Sequence, residues 1–254
     1  MKNRNLMIVF FLTGLMAASC ASDREQQTGE AMDATREAAV IAGTPVTDVD
    51  GNTYRTVIIG DLEWMAENLK TTTYQDGTPI EYPGDNMTAW RNNQLGGYAW
   101  YDNDIANKAI YGALYNWYAV TNPSGLCPAG WRVADHEDWL YLTGYVGEQM
   151  GNKLKSRRQV GSPFGGEYDT MEHPRWETFS VNYGTDEFGF GALPGGNRHA
   201  SGTFVTKGAN ALFWSSSEIS EEAGYGWYMY HGYYGVDRGF GDKGAGFSVR
   251  CVRE

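Results

Sequence analysis

Apolar positions first gather at the very start of the chain. Lys2 and Arg4 precede an apolar run from Leu6 to Met16, which ends in Ala17, Ala18, Ser19 and Cys20. That run falls well short of the roughly 20 apolar residues that cross a bilayer. A basic start, a short apolar centre and small residues before a cleavage point predict a signal peptide over residues 1–19. Residues 21–44 have no sustained apolar period and no aromatic side chain. They predict a flexible tether, in which a short helix around Met32–Ala39 would be marginal on its own. From Thr47 the pattern changes. Asp50-Gly51-Asn52 supplies a turn, and the β-branched run Tyr54–Ile59 ends at Gly60-Asp61, which predicts a hairpin followed by another strand.

The clearest helix signal starts at Asp135. Its carboxylate can cap free N–H groups, Glu137 and Asp138 suit the positive end of the helix, and Trp139, Leu142 and Val146 share one face up to the stop signal Gly147. From Phe188 onward the apolar runs are short and separated by glycines: FGFGALPGGNR, GTFV, ALFWSSSE, GWYMYHGYYG and GFSVRCVRE. These predict short strands joined by tight turns.

Composition narrows the partners. The chain has 254 residues and a formal charge of −11; removing residues 1–19 deletes Lys2 and Arg4 and takes the charge to −13. The densest basic run, Lys153–Arg158, is short, so phosphate backbones would be repelled and nucleic acid is not an expected partner. Of three cysteines, Cys20 follows the small residues in a pattern that resembles the lipobox of bacterial lipoproteins, with Ala17 where Leu is usual. This predicts lipidation at Cys20, the alternative being an ordinary secretory cleavage site. Cys127 and Cys251 remain as an even pair in an exported context and predict one long-range disulfide; two buried free thiols are the alternative.

Taken together, GDLEWMAENLKTTTYQDGTPI, YGALYNWYAV, LCPAGWRVADHEDWLYL, GFGALPGGNR, FWSSSE and GFSVRCVRE resemble the Fibrobacter succinogenes major paralogous domain, from about Asp48 to Glu254. The resemblance implies a surface lipoprotein of no established activity. WRVADHEDW and GFSVRCV are also similar to blocks of the formylglycine-generating-enzyme group. That likeness implies an α+β, C-type-lectin-like, loop-rich domain with small antiparallel sheets and one or two helices. The expected organisation is a signal peptide at 1–19, a lipid anchor and tether at 20–45, and the family domain at 46–254.

Several candidate chemistries fail on the residues. The stretch comparable to the formylglycine-generating block, Pro194–Arg198, has no cysteine, so that activity does not carry over. Glu-Pro-Asn, Gln-Pro-Asp and Trp-Asn-Asp, the sugar-binding calcium tripeptides of C-type lectins, do not occur. Asp48, Asp50 and Asn52, like Tyr101–Asp104, read as turns. His136, His173, His199 and His231 are scattered, and the G-x-G-x-x-G at Gly239, Gly241 and Gly244 precedes a strand-like segment. No metal, cofactor or catalytic residue is expected. The remaining signal is aromatic. Trp227, Tyr228, Tyr230, Tyr233 and Tyr234 crowd one segment, with Trp214 as a possible neighbour. Alternation along a strand predicts that some face water as a ligand surface, core packing being the alternative. The functional expectation is a non-enzymatic binding or adhesion module for glycan or protein, lipid-anchored at the outer membrane or cell surface. An enzyme acting on glycan or peptide is the alternative, since paired carboxylates could meet in three dimensions.

Overall fold

The computed structural model describes residues 40–254. Strand β1 (Ile41–Ala42) opens the fold, followed by β2 (Val46–Thr47) and β3 (Thr53–Tyr54), which pair as an antiparallel ribbon. The turn between them forms at Asp50-Gly51-Asn52, as the pattern predicts. Gly51 takes φ +82°, and the Asp48 carboxylate accepts from the Asn52 backbone, the Asn52 side chain and the Tyr54 hydroxyl. These donors close a turn and leave the carboxylate occupied. β4 (Thr56–Ile59) and β5 (Leu62–Met65) make the next hairpin. β1 falls inside the stretch read as tether; a two-residue strand is too short to register as alternation, and its pairing partner lies on β4.

Helix α1 (Met87–Asn92), β6 (Tyr98–Ala99), α2 (Asn107–Tyr111), β7 (Leu114–Tyr115), α3 (Trp117–Val120) and β8 (Arg132–Val133) follow. The expected helix is α4 (His136–Val146). Asp135 accepts from the Asp138 backbone while the Asp138 carboxylate accepts from the Asp135 backbone, a reciprocal cap, and Trp139, Leu142 and Val146 are buried before Gly147 ends the helix at φ +71°. α5 (Met150–Leu154) is next. One or two helices are expected, and α4 is accompanied among the described residues by four shorter ones of 4 to 6 residues. Such single turns carry no readable period. Asn86 and Asn116 cap α1 and α3 through side-chain oxygens, and packing does the rest.

The glycine-punctuated C-terminal half gives β9 (Asn197–Arg198), β10 (Phe204–Val205), β11 (Asn210–Glu218), β12 (Ala223–Tyr230), β13 (Asp237–Asp242) and β14 (Cys251–Arg253). The fold is α+β with small antiparallel sheets. One is five-stranded, in the order β1-β4-β5-β14-β8, and one is the meander β11-β12-β13. The last strand thus sits between the N-terminal hairpin and β8. Cys127 and Cys251 form a disulfide over a separation of 124 residues, with their Cα atoms 6.0 Å apart and both residues buried.

Alternation on these strands feeds two cores. The neighbours Trp64 and Met65 on β5, Phe213 and Trp214 on β11, and Val252 and Cys251 on β14 each divide between the two clusters. Trp139 of α4 stacks on Trp227 from one side at 5.8 Å, while Phe247 stacks on Trp214 at 4.1 Å on the other. Strands β5, β11, β12 and β14 are therefore covered on both faces.

Candidate binding cleft

That double covering decides the fate of the aromatic segment. Trp214 is 0% and Trp227 2% exposed, so neither can form an open ligand surface. Trp214 donates its indole N–H to the Tyr115 carbonyl. The strand argument assumes that one face meets water, and here α4 occupies one face while Trp117 and Phe247 lie in the cluster on the other. Tyr228 and Tyr230 are half-buried. Tyr233 and Tyr234 are 37% and 53% exposed, stand beyond the end of β12, and pair at 5.0 Å. Their loop is fixed from beneath: Lys155 Nζ donates to the Tyr230 and Tyr233 carbonyls, and the Asn152 N–H to the Tyr234 carbonyl. Lys155 is fully buried, and desolvation pushes its ammonium down to about 8.

A larger concavity lies away from this loop. A cleft of about 570 Å³ opens where the chain leaving β5, helix α2, the segment after α5 and the loop 186–193 meet. Its described lining carries Arg55, Lys70, Lys108, Arg157 and Arg158 against two carboxylates, Glu67 and Asp186. Glu67 holds two of the cations: it accepts the Arg55 backbone N–H and Nε at 3.0 and 3.3 Å and lies 3.7 Å from Lys70 Nζ. The other three are held by neutral groups. Arg157 Nε donates to the Thr185 carbonyl at 2.7 Å, and its guanidinium lies over Phe164 and Tyr168 at 5.3 and 5.2 Å. Arg158 Nε donates to the Pro174 carbonyl at 2.7 Å, and Lys108 Nζ lies 5.6 Å from the Trp100 ring.

A buried polar scaffold supports the floor. Arg250, in the segment leading into β14, is 1% exposed and donates to Asn68 Oδ1 and the Met65, Phe190 and Gly191 carbonyls, all within 3.3 Å. Burial pushes its guanidinium down against the opposing pull of the Asp186 and Glu67 carboxylates, while every hydrogen-bond acceptor it meets is neutral. Asp186 takes φ +47° and accepts the Gly191 N–H at 2.8 Å. Burial pushes its carboxyl up against the opposing pull of that N–H and of Arg250.

The cleft is the part that sequence reading misses. Its cations come from residues 55, 70, 108, 157 and 158, and no local window gathers them; the run Lys153–Arg158 is the one visible trace. Other motifs settle as structure. Tyr101–Asn103 forms a single 3-10 turn, and Asp104 Oδ1 accepts from the Ala106 N–H just beyond it. Gly239 and Gly241 lie within β13, where a Cβ on Gly241 would meet Trp214 at 2.5 Å. Arg198 of the Pro194–Arg198 stretch is sandwiched between Trp90 and Phe204, 4.3 and 4.8 Å from the ring centres. Among the described residues no three His, Cys, Asp or Glu side chains converge as metal ligands, and no helix is long and apolar enough to cross a membrane.

A model of the family described as the Fibrobacter succinogenes major domain matches residues 57–253, a span that holds every cleft cation except Arg55. Neither the curated proteins nor the solved structures contain a match.

Proposed function

This chain belongs to the Fibrobacter succinogenes major domain family, and on that premise we propose that its folded part is a non-enzymatic ligand-binding module, held at a bacterial cell surface by a lipid on Cys20. Cys20 and the signal-like segment before it lie outside the described residues, so the anchor rests on the sequence pattern. The α+β arrangement, with irregular segments hung from a small sheet, supports the C-type-lectin-like reading of the fold.

One observation carries the binding reading. The cleft is within the size range of ligand sites and is walled by elements pinned through Arg250, so it is preformed. It replaces the buried tryptophans as the seat of the ligand. Tyr233 and Tyr234 supply a smaller aromatic face. An enzyme acting on glycan or peptide is the second reading, favoured by Asp186, whose carboxyl is pushed up in the same cleft as Glu67.

A glycan array probed with the purified chain tests this. Ala109 is exposed at the cleft wall on α2, so Ala109→Trp fills the opening without removing core packing. Loss of an array ligand in Ala109→Trp supports the cleft. Loss in Tyr234→Ala alone moves the ligand to the aromatic loop, and conversion of the ligand, abolished in Asp186→Asn, favours the enzyme.

A further inference from the structure

The cleft and the chain carry opposite charge. The whole sequence is formally −11, while the described lining of this one concavity holds five cations and two carboxylates. Cations gathered in a recess of an otherwise acidic protein focus a positive field there and draw anions to it. Glu67 answers Arg55 and Lys70, whereas no described carboxylate lies within ion-pair distance of Lys108, Arg157 or Arg158. The two arginines are held through Nε by main-chain carbonyls, so their forks are pre-positioned and lose less freedom when a partner arrives.

We propose that the cleft takes an acidic polysaccharide, with anionic groups of neighbouring sugars met by Lys108, Arg157 and Arg158. The proposal rests on the binding-module reading and names the ligand class for it. Three main-chain donors at the cleft wall are already engaged within the protein. The Gly191 N–H is bound by Asp186 Oδ1, the Gly189 N–H by the Asp186 carbonyl, and the Ser156 N–H by the Ala192 carbonyl. The cations lacking a carboxylate partner come from two separate segments, Lys108 on one and Arg157 with Arg158 on the other, which suits anionic groups repeated along a chain. Between them Ile110, Tyr168, Pro174 and Leu193 line the cleft and offer surface to the C–H faces of sugar rings. Carboxylate and sulfate share this chemistry, and a guanidinium fork accepts either.

The test is titration calorimetry of the purified full chain with polygalacturonate, dextran sulfate, neutral dextran and poly-glutamate. Binding of polygalacturonate or dextran sulfate, with dextran inert, is expected, and the stronger of the two identifies the anionic group. Affinity should fall as salt rises and drop about tenfold for each of Lys108→Gln and Arg158→Gln, in line with the loss of one charge-assisted hydrogen bond. Arg158→Lys should recover part of the loss, and matching melting temperatures confirm that the variants fold. A neutral glycan that binds and is lost in Ala109→Trp would overturn the acidic ligand while leaving the cleft in place. Preference for poly-glutamate over both polysaccharides, or acidic-polysaccharide affinity unchanged in Lys108→Gln and Arg158→Gln, would also overturn it. Binding of none of these probes, with array ligands unaffected by Ala109→Trp, would remove the cleft reading itself.

Discussion

At the scale of single residues, Trp227 and Lys155 illustrate what neighbours do to a side chain. Trp227 sits in a crowded aromatic segment, and period-two alternation places half of such a segment on each side of the strand. Whether a side is wet depends on elements far away in sequence, here α4, so the burial of Trp227 is not legible from its own window. Trp227→Ala should therefore cost about 3 to 5 kcal/mol of stability, as for other large core cavities; denaturant titration measures it, and a loss below about 1 kcal/mol would contradict the packing. Lys155 is the opposite surprise, a fully buried cation inside the one basic run the sequence displays. Desolvation holds its folded value at about 8, below the usual lysine range. The unfolded chain then binds more protons between pH 8 and about 10, so stability rises with pH through that window and is lower beneath it. Unfolding free energy should increase by about 1.5 kcal/mol from about pH 8 to 9.5 relative to Lys155→Met. The comparison stops short of about pH 10, where buried tyrosines such as Tyr228, held up by desolvation, begin to act in the other direction. Parallel pH profiles for the two proteins would refute the assignment.

At the scale of elements, signals survive where they are local. The Asp135 cap and the Trp139, Leu142, Val146 stripe give α4 its bounds, and Asp50-Gly51-Asn52 gives the first ribbon its turn. The four short helices and the two-residue strands leave no such trace, since they borrow their stability from packing, with asparagine caps at α1 and α3 alone. The cysteine count anticipates the Cys127–Cys251 link, though count alone leaves buried thiols open; the fold decides by bringing β14 against the segment entering β8. Closing a loop of that length constrains the unfolded chain by up to roughly 4 to 5 kcal/mol. Paired Cys127→Ser and Cys251→Ser substitutions should lower unfolding free energy by several kcal/mol, measured by denaturant titration beside the oxidised protein, and a change under about 1 kcal/mol would show that the link contributes little.

At the scale of the whole molecule, the family matches residues 57–253, and the expected anchor lies ahead of that span. If the anchor is at Cys20, Cys20→Ala should release the protein from membranes on fractionation; retention equal to wild type would refute lipidation. The family blocks announce the architecture because they carry its turns and core residues, such as the FGFGALPGGNR stretch that contains both Phe190 of the core and Gly191 of the cleft wall. They do not announce the site. Five cations from separate stretches become one feature only when β5, α2 and α5 are brought together, and a net charge of −11 conceals them in any composition. The binding proposal stands on this cleft being the seat of the ligand. Its most direct measurement is the affinity of the best array ligand for wild type, Ala109→Trp and Tyr234→Ala. Affinity should fall at least about a hundredfold in Ala109→Trp alone, about 2.7 kcal/mol, with melting temperatures unchanged. Equal affinity in wild type and Ala109→Trp, with loss in Tyr234→Ala, would contradict it.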